Sequence, residues 1–321
     1  MRRVFFYIFI LLFIAVGCDR PQLFKESRIV MDTVVEISSY GSDKDKISKA
    51  IESSFREIER IENLFNRFDS SSAISMINRM AGMQEVSVNS EIYDLIKRSI
   101  DYSRISGGAF DITVAPLVEL WDKAKREKKL PDPEDIKETL KAVGYKNIVL
   151  NDERMSIIFV NKDAKIDLGG IVKGYAIDKV KDVLLSFGID NALINVGGNI
   201  YALGSLNDNN KWKIGIRHPR DNKAILYKLE LNDRAVSTSG DYERFFILNG
   251  RRFSHILNPL TGYPADCIIS VTVITPSAEQ ADVLSTAVFV SGKDRGMELI
   301  KSIEKAEVFV FDKDSKFTKY P

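Results

Sequence analysis

Apolar residues recur at three- and four-residue steps in several stretches of the chain, which is the spacing of one face of an α-helix. One such stripe follows Asn89. Another begins at Asp132-Pro133 and ends at Gly144, in line with the preference for aspartate and proline at the start of a helix and for glycine at its end. Further helices are predicted at about 170–187, 278–290 and 293–303. The clearest stripe begins after the capping residue Ser42 and consists of Ile47, Ile51, Phe55, Ile58, Ile61 and Phe65.

Between these helices lie short stretches rich in Val, Ile and Thr, the residue types that favour β-strands. The turn Asn249-Gly250 favours antiparallel pairing, and the regular helix–strand alternation of a doubly wound fold is missing. We therefore expect an α+β fold with a mixed, mainly antiparallel sheet and packed helices, in one compact domain that divides at most into two lobes. Strands are predicted at 28–38, 191–196, 212–217, 225–231, 269–275 and 307–311.

The first residues have the pattern of an export signal. Arg2 and Arg3 precede an apolar stretch at 4–16, which is shorter than the roughly 20 residues that a transmembrane helix needs. Residues 15–18, Ala-Val-Gly-Cys, resemble a bacterial lipobox, in which the cysteine receives lipid and becomes the new N-terminus. We expect a signal peptide at 1–17, lipidated Cys18 with a tether at 18–25, and the main domain at 26–321. A simple uncleaved anchor is the alternative.

Charge and cysteine content narrow the choice of function. Lys and Arg total 46 against 45 Asp and Glu, an even balance that argues against nucleic-acid binding. Cys267 is the one cysteine left once Cys18 is lipidated, so no internal disulfide forms and the hydrophobic core must hold the fold. Cys267 stands at the mouth of an apolar run, and we expect it to be a buried structural residue rather than a reactive thiol.

Glycine-rich motifs interrupt three segments that should otherwise be buried. They read S-G-G-A-F-D-I-T at 106–113, D-L-G-G-I-V-K-G-Y at 167–175 and N-V-G-G-N-I at 195–200. In the second motif a glycine pair enters a helix, whose free N–H groups and positive dipole end suit a phosphate, and Lys173 lies in the first turn. Phosphate binding and tight packing explain this motif equally well. For the first and third motifs alone, plain turns are the simpler interpretation.

The chain contains two histidines, His218 and His255, and His255 lies near further polar motifs. V-S-T-S-G-D-Y begins at 236, and S-H-I-L-N-P-L-T-G-Y-P begins at 254. His218 has the setting of a loop residue at the end of a strand. His255 would act as a base only if it faces the other motifs, and otherwise it is a hydrogen-bonded structural group.

The otherwise apolar helix predicted near 281–289 carries Asp282 and Thr286 four residues apart, which places their oxygens on one face. A carboxylate on a buried helix needs a partner, because burying it bare costs several kcal/mol. Oxygen ligands suit Mg²⁺ or Ca²⁺ rather than zinc. The alternatives to a metal are an internal hydrogen bond from Thr286 and a salt bridge.

In this order, the motifs resemble the FAD:protein FMN transferase family, also called the ApbE family, from Met31-Asp32-Thr33 to about Gly292. The resemblance implies a mixed α/β, T-fold-like domain that binds FAD across a cleft with Mg²⁺ at the pyrophosphate. It implies metal ligation by Asp282, Thr286, the Gly170 carbonyl and Ser285. It implies that His255 assists proton transfer. In the catalytic set that we predict, His255 or Asp111 takes the proton and Lys173 adds positive charge at the pyrophosphate. The implied FAD contacts are Met31, Phe68, Ala109, Phe110, Asp111, Asp167, Lys173 and Ile256.

Two positions depart from the family pattern. Asp32 replaces the glycine of the usual Met-Gly-Thr, which affects backbone contacts at Met31. Ser285 stands where the metal helix often carries a second Asp, which affects metal affinity.

The resemblance implies Mg²⁺-dependent transfer of FMN from FAD to a Thr or Ser hydroxyl of an acceptor protein, with release of AMP. The alternatives are a Mg²⁺-dependent FAD pyrophosphatase that uses water as acceptor, and a lipoprotein that binds FAD without chemistry. We expect lipid anchoring to the bacterial membrane, facing the periplasm or the outside, where exported subunits of redox complexes would be the acceptors. Asp19 after Cys18 resembles an inner-membrane retention signal of some Gram-negative bacteria.

Overall fold

The structure, a computed structural model, describes residues 20–207 and 210–320. The predicted signal peptide and Cys18 therefore lie outside the described residues. The strands in the described part are β1 Gln22–Val30, β2 Thr33–Gly41, β3 Val86–Ser87, β4 Ile148–Asn151, β5 Ser156–Phe159, β6 Ala192–Val196, β7 Asn199–Leu203, β8 Trp212–His218, β9 Asp221–Leu231, β10 Arg234–Gly240, β11 Phe245–Leu248, β12 Arg251–Ser254, β13 Ile268–Thr275, β14 Glu307–Asp312 and β15 Phe317–Tyr320. The α-helices are α1 Lys44–Phe65, α2 Ala73–Arg79, α3 Ser90–Ile105, α4 Ala115–Glu127, α5 Pro133–Leu140, α6 Val172–Ser186 and α7 Ala278–Lys301.

One large sheet organises the fold. Its eight strands follow the order β1-β2-β6-β7-β10-β13-β14-β15, and every neighbouring pair is antiparallel. Smaller sheets are formed by β3-β5-β4, β8-β9 and β11-β12. The prediction of an α+β fold with a mainly antiparallel sheet is confirmed.

The large sheet is covered on both faces. Helices α1, α6 and α7 pack together and against β2, β6, β7, β10 and β13. On the opposite face, the β8–β9 hairpin buries Trp212, Ile214 and Ile216 against residues of β7, β10 and β13. Helices α2 and α3 and the β3-β5-β4 sheet join the same apolar cluster as the middle of α7. Burial of these apolar faces is the main term that stabilises the fold.

The structure shifts some boundaries expected from sequence. Asp43 rather than Ser42 caps α1, because its carboxylate accepts a hydrogen bond from the Lys46 N–H at 3.0 Å. The helices predicted at 278–290 and 293–303 form α7, which kinks at Gly292 with a φ of 77°.

The prediction that Cys267 is buried is wrong. The residue is exposed and directly precedes β13, so the apolar run begins one residue later. A Cβ added at the Gly292 kink would lie 3.3 Å from the Cys267 Cβ.

Within the described ranges, none of the helices combines the length and the apolar character that crossing a bilayer requires.

Candidate active site

A cleft of about 1010 Å³ opens at one end of the large sheet. The tips of the β1–β2 and β6–β7 hairpins form one side of it, and the start of α6 and the first half of α7 form its base. The segment that carries His255 and the loop that carries Phe68 complete the wall. The cleft therefore brings together all six motifs that the sequence analysis singled out, although they are distant along the chain.

Asp282 and Thr286 lie on α7 at the base of the cleft, as the four-residue spacing predicts. The Asp282 side chain is buried, with 3% of the residue exposed, and one of its oxygens accepts a hydrogen bond from the Gly174 N–H at 3.0 Å. The Lys173 Nζ lies 3.3 and 3.4 Å from the two carboxylate oxygens and 3.0 Å from the Gly169 carbonyl oxygen. The Thr286 hydroxyl donates to the Asp282 carbonyl oxygen at 3.3 Å. Both alternatives to a metal, the internal hydrogen bond and the salt bridge, thus occur in the structure.

The close approach of α6 and α7 depends on glycine. A Cβ added at Gly174 would lie 2.2 Å from the Ala278 carbonyl oxygen, nearer than any side chain tolerates. At Gly170 an added Cβ would lie 3.2 Å from the Phe110 ring and 3.7 Å from the Thr286 hydroxyl oxygen. Tight packing, one of the two equal interpretations of the second glycine motif, is therefore observed, and the motif also places Gly170 beside Thr286.

Ser285 does not face the cleft. Its buried hydroxyl is 3.2 Å from the Ser237 hydroxyl and 2.9 Å from the Ser239 hydroxyl, and it also donates to the Asp282 carbonyl oxygen at 2.9 Å. The residue lies one position off the Asp282–Thr286 face, so it points to β10. We therefore correct the expected ligand set by leaving Ser285 out of it.

The described residues contain no cluster of three or more His, Cys, Asp or Glu side chains arranged to hold a metal. A cation at this base would meet one carboxylate together with hydroxyl and carbonyl oxygens. This all-oxygen set fits Mg²⁺, which takes few protein ligands and otherwise binds water and substrate phosphates.

Asp111 lines the cleft, but hydrogen bonds occupy its carboxylate. One oxygen accepts from the Thr113 N–H at 2.8 Å and the Thr113 hydroxyl at 2.6 Å, and the other accepts from the Tyr145 N–H at 2.6 Å. Burial raises the pKa of Asp111, and these hydrogen bonds oppose that rise. The geometry favours Asp111 as a group that positions the neighbouring Ala109 and Phe110, which are buried at the cleft wall.

His255 faces the cleft with a defined tautomer. Its Nδ1 lies 2.8 Å from the Arg244 carbonyl oxygen, which can only accept, so Nδ1 carries the proton and Nε2 has a free lone pair. The residue keeps an exposed surface, but packing of the surrounding protein lowers the pKa of His255 to about 4; the hydrogen bond to the Arg244 carbonyl opposes this fall, and the nearby charges of Arg244 and Lys173 add to it. The imidazole is therefore neutral at physiological pH, which is the form a base requires.

Arg67 is a site residue that sequence reasoning missed. Its side chain is 8% exposed, and its Nε lies 2.7 Å from an Asp167 carboxylate oxygen. The other Asp167 oxygen accepts from the Gly169 N–H at 2.7 Å, so the pair fixes the glycine turn before α6. The Arg67 guanidinium stacks 4.2 Å from the centre of the Phe68 ring, which is 72% exposed at the cleft rim. A single arginine after a helix gives no signal in the sequence that would reveal this pairing.

The Met31-Asp32 turn adopts left-handed backbone at both residues, with φ of 56° and 54°. Aspartate tolerates this conformation better than most residues, which accounts for Asp32 at a position where the family usually has glycine. The Met31 N–H donates to a Glu62 carboxylate oxygen at 3.0 Å, and the Arg244 side chain donates to the Asp32 carbonyl oxygen at 3.3 Å. The backbone of the turn is thus held from both sides of the cleft, and Ile256 lies on the opposite wall.

Known proteins resemble this chain along nearly its whole length. The sequence model described as the ApbE family matches residues 31–310. A Klebsiella pneumoniae protein named FAD:protein FMN transferase is 31% identical over 295 residues, which cover 91% of this chain and 90% of the relative. A Treponema pallidum protein of the same name is 30% identical over 313 residues, which cover 92% and 86%.

Solved structures agree with the sequence relatives. The ApbE protein of Thermotoga maritima has a TM-score of 0.85 at 36% identity, with 93% of this chain and 97% of that chain covered. The flavin transferase ApbE of Vibrio cholerae has a TM-score of 0.84 at 28% identity, with 94% and 97% covered.

Proposed function

This chain belongs to the ApbE family, and from that premise we propose that it is an FAD:protein FMN transferase that attaches FMN to a threonine or serine of an acceptor protein. The observation that carries the proposal is the meeting of Asp282, Thr286 and Lys173 with a neutral His255 in one cleft. Phosphoryl transfer to a hydroxyl requires groups that stabilise the phosphate charge, either directly or by holding a cation, and a base.

In the proposed reaction, the acceptor hydroxyl oxygen forms a bond to the FMN-side phosphorus of FAD. The bond between that phosphorus and the oxygen bridging to the AMP phosphate breaks, and AMP leaves with that oxygen and its electron pair. The hydroxyl proton passes to a base, and the acceptor keeps FMN through a phosphoester. Electrostatic stabilisation is the main demand, because an oxygen nucleophile approaches an anionic pyrophosphate.

The chain offers cationic and polar groups for the pyrophosphate. Lys173 is partly exposed on the cleft side, so its ammonium can turn from Asp282 to a phosphate oxygen. The N–H groups at the start of α6, beside Gly170, add the positive end of a helix dipole. Arg67 holds Asp167 and the glycine turn in place, which keeps these N–H groups aligned.

We propose Mg²⁺ as the metal, held by Asp282, Thr286 and the Gly170 carbonyl. When bound, Mg²⁺ would neutralise charge on the pyrophosphate oxygens. The all-oxygen donor set at the base of the cleft supports this assignment. Asp282 is fixed for such a role by the Gly174 N–H, which leaves its second oxygen to the cleft side with Lys173.

We assign the proton transfer to His255. The Arg244 carbonyl oxygen orients the ring and leaves the Nε2 lone pair free, and desolvation keeps the ring neutral. Asp111 is the second candidate base, but its three hydrogen bonds favour a positioning role. Lys173 would contribute charge rather than accept a proton.

We further propose that the protein acts from a lipid anchor on Cys18, outside the cytoplasm. The charged start, the apolar stretch at 4–16 and the Ala-Val-Gly-Cys sequence support this location. In a Gram-negative cell, Asp19 would favour retention in the inner membrane. Exported subunits of redox complexes would then be within reach as acceptors.

The proposal is tested by product analysis with mass spectrometry. The chain from residue 19 onward is incubated with FAD, Mg²⁺ and a purified exported domain that carries a surface threonine. An acceptor heavier by one FMN, together with AMP, is the expected result. FMN and AMP with an unmodified acceptor would indicate the pyrophosphatase instead, and intact FAD would indicate a carrier without chemistry.

A further inference from the structure

The cleft continues past the residues assigned to FAD and the metal, through the edge of the large sheet to its other face. This second half, here called the acceptor groove, is lined by Ile200, Val236 and Thr238 on the large sheet and by Ile214, Gly215 and Arg217 on β8. None of these six residues belongs to the predicted FAD or metal sets. The volume of about 1010 Å³ lies just above the roughly 300–1,000 Å³ of small-molecule sites.

The open edge of a strand faces this groove. On one side, β10 pairs with β7 only from Arg234 to Val236, because β7 begins at Asn199 and the chain before it turns back. On its other side, β10 pairs with β13 as far as Gly240. Residues 238–240 thus have a strand neighbour on one side only within the described ranges, and all three line the cleft. Strand β8, which pairs with β9 alone in the described part of the chain, faces them across the groove.

The open edge also lies next to the reaction centre. The Ser239 hydroxyl is 2.9 Å from the Ser285 hydroxyl, and Ser285 directly precedes Thr286 on α7. A chain that pairs with β10 at this point would pass within one helical turn of the Asp282–Thr286 pair. Unpaired backbone groups on a strand edge are satisfied by water or by an added strand, and strand addition is a common mode of peptide recognition.

We infer that the acceptor protein binds here as an extended segment, which adds to the open edge of β10 and runs through the acceptor groove. The inference rests on the proposed transfer activity and names how its protein substrate is recognised. Ile200 is partly buried and packs against the cluster that contains the buried Ile214 and Val236, so this part of the groove wall is apolar, while Arg217 adds a charge to the lining. Backbone pairing supplies affinity, and Gly198, where an added Cβ would meet no atom within 4 Å, leaves space for the reactive side chain to reach the FAD half.

Ile200→Arg tests the inference, because it places a charged side chain in the groove wall away from the FAD half. Ile158→Arg on β5 is the matched control, since it makes the same change on a partly exposed strand isoleucine outside the cleft. FAD affinity is measured by flavin fluorescence, folding by thermal denaturation, and transfer by the mass increase of the acceptor domain. We expect Ile200→Arg to keep FAD affinity within twofold and to lose at least tenfold in kcat/KM for the acceptor. We expect Ile158→Arg to match the wild type.

Hydrogen exchange on the wild-type protein gives a second measurement that needs no variant. Addition of the acceptor domain should slow exchange of those amides at 238–240 that point away from β13 to the open edge, and it should leave the amides of β15, at the far edge of the sheet, unchanged. Wild-type kcat/KM in Ile200→Arg, or unchanged exchange at 238–240 with a modified acceptor, would overturn the acceptor groove while the transfer activity stands. Release of AMP without any modified acceptor by the wild type would overturn the transfer proposal, and the groove with it.

Discussion

Gly174→Ala probes how finely the packing of α6 against α7 sets the reaction centre. The added Cβ would lie 2.2 Å from the Ala278 carbonyl oxygen, and real Cβ atoms do not come within 3.0 Å of a neighbour. The helices must therefore separate by at least 0.8 Å, the difference between these two distances. The 3.0 Å hydrogen bond from the Gly174 N–H to Asp282 would then lengthen to about 3.8 Å, beyond the range of a hydrogen bond.

This shift should affect stability and activity to different degrees. Overpacking of this kind costs about 1–3 kcal/mol in the free energy of unfolding. A misplacement near 1 Å can cost roughly 100-fold in rate, although every proposed ligand and base is still present. We therefore expect thermal denaturation to show a folded but destabilised protein, and transfer assays to show a loss of roughly 100-fold in kcat.

Gly296→Ala is the control, because it makes the same substitution later in α7 and away from the cleft. Its Cβ would lie 2.7 Å from a Val288 methyl group, so it should also destabilise the fold. We expect its kcat to stay near that of the wild type when both are assayed well below their melting temperatures. Equal kcat in Gly174→Ala and the wild type would refute the claim that helix spacing sets the site.

Three further predictions concern single groups. Asp282→Asn keeps the side-chain size and the contact with the Gly174 N–H but removes the negative charge. Calorimetry should therefore show that the variant binds Mg²⁺ at least tenfold more weakly than the wild type, and unchanged affinity would refute the metal assignment. His255→Gln should slow transfer by roughly 10²–10⁴-fold. Because the base form of His255 increases as pH rises through its pKa of about 4, the wild-type rate should be flat from about pH 5.5 to 8 and fall only in more acidic solution; a fall centred near pH 6.5 would contradict the desolvated site. Cys18→Ser should move the protein from the membrane fraction to the soluble fraction, which immunoblotting of fractionated cells detects, and retention in the membrane would favour an uncleaved anchor.

Much of the fold follows from local pattern. The stripe from Ile47 to Phe65 predicts α1 because helical spacing puts its members on one face, and that face is buried. The Asp282–Thr286 spacing places both residues at the base of the cleft for the same reason. The α+β class follows from the order of the segments, and the family follows from the ordered motifs.

The tertiary structure decided which partners these residues meet, since long-range packing has no local signature. Helical periodicity predicts that Asp282 shares a face with Thr286. It does not predict that Lys173, 109 residues earlier in the chain, lies against the Asp282 carboxylate. The inward direction of Ser285, the hydrogen bonds that occupy Asp111 and the pairing of Arg67 with Asp167 likewise arise only when separate segments are packed together. The open edge of β10 is decided in the same way, because it depends on where β7 begins beside it. Local sequence thus determines the faces of the elements, and the packing of those faces determines the chemistry of the cleft.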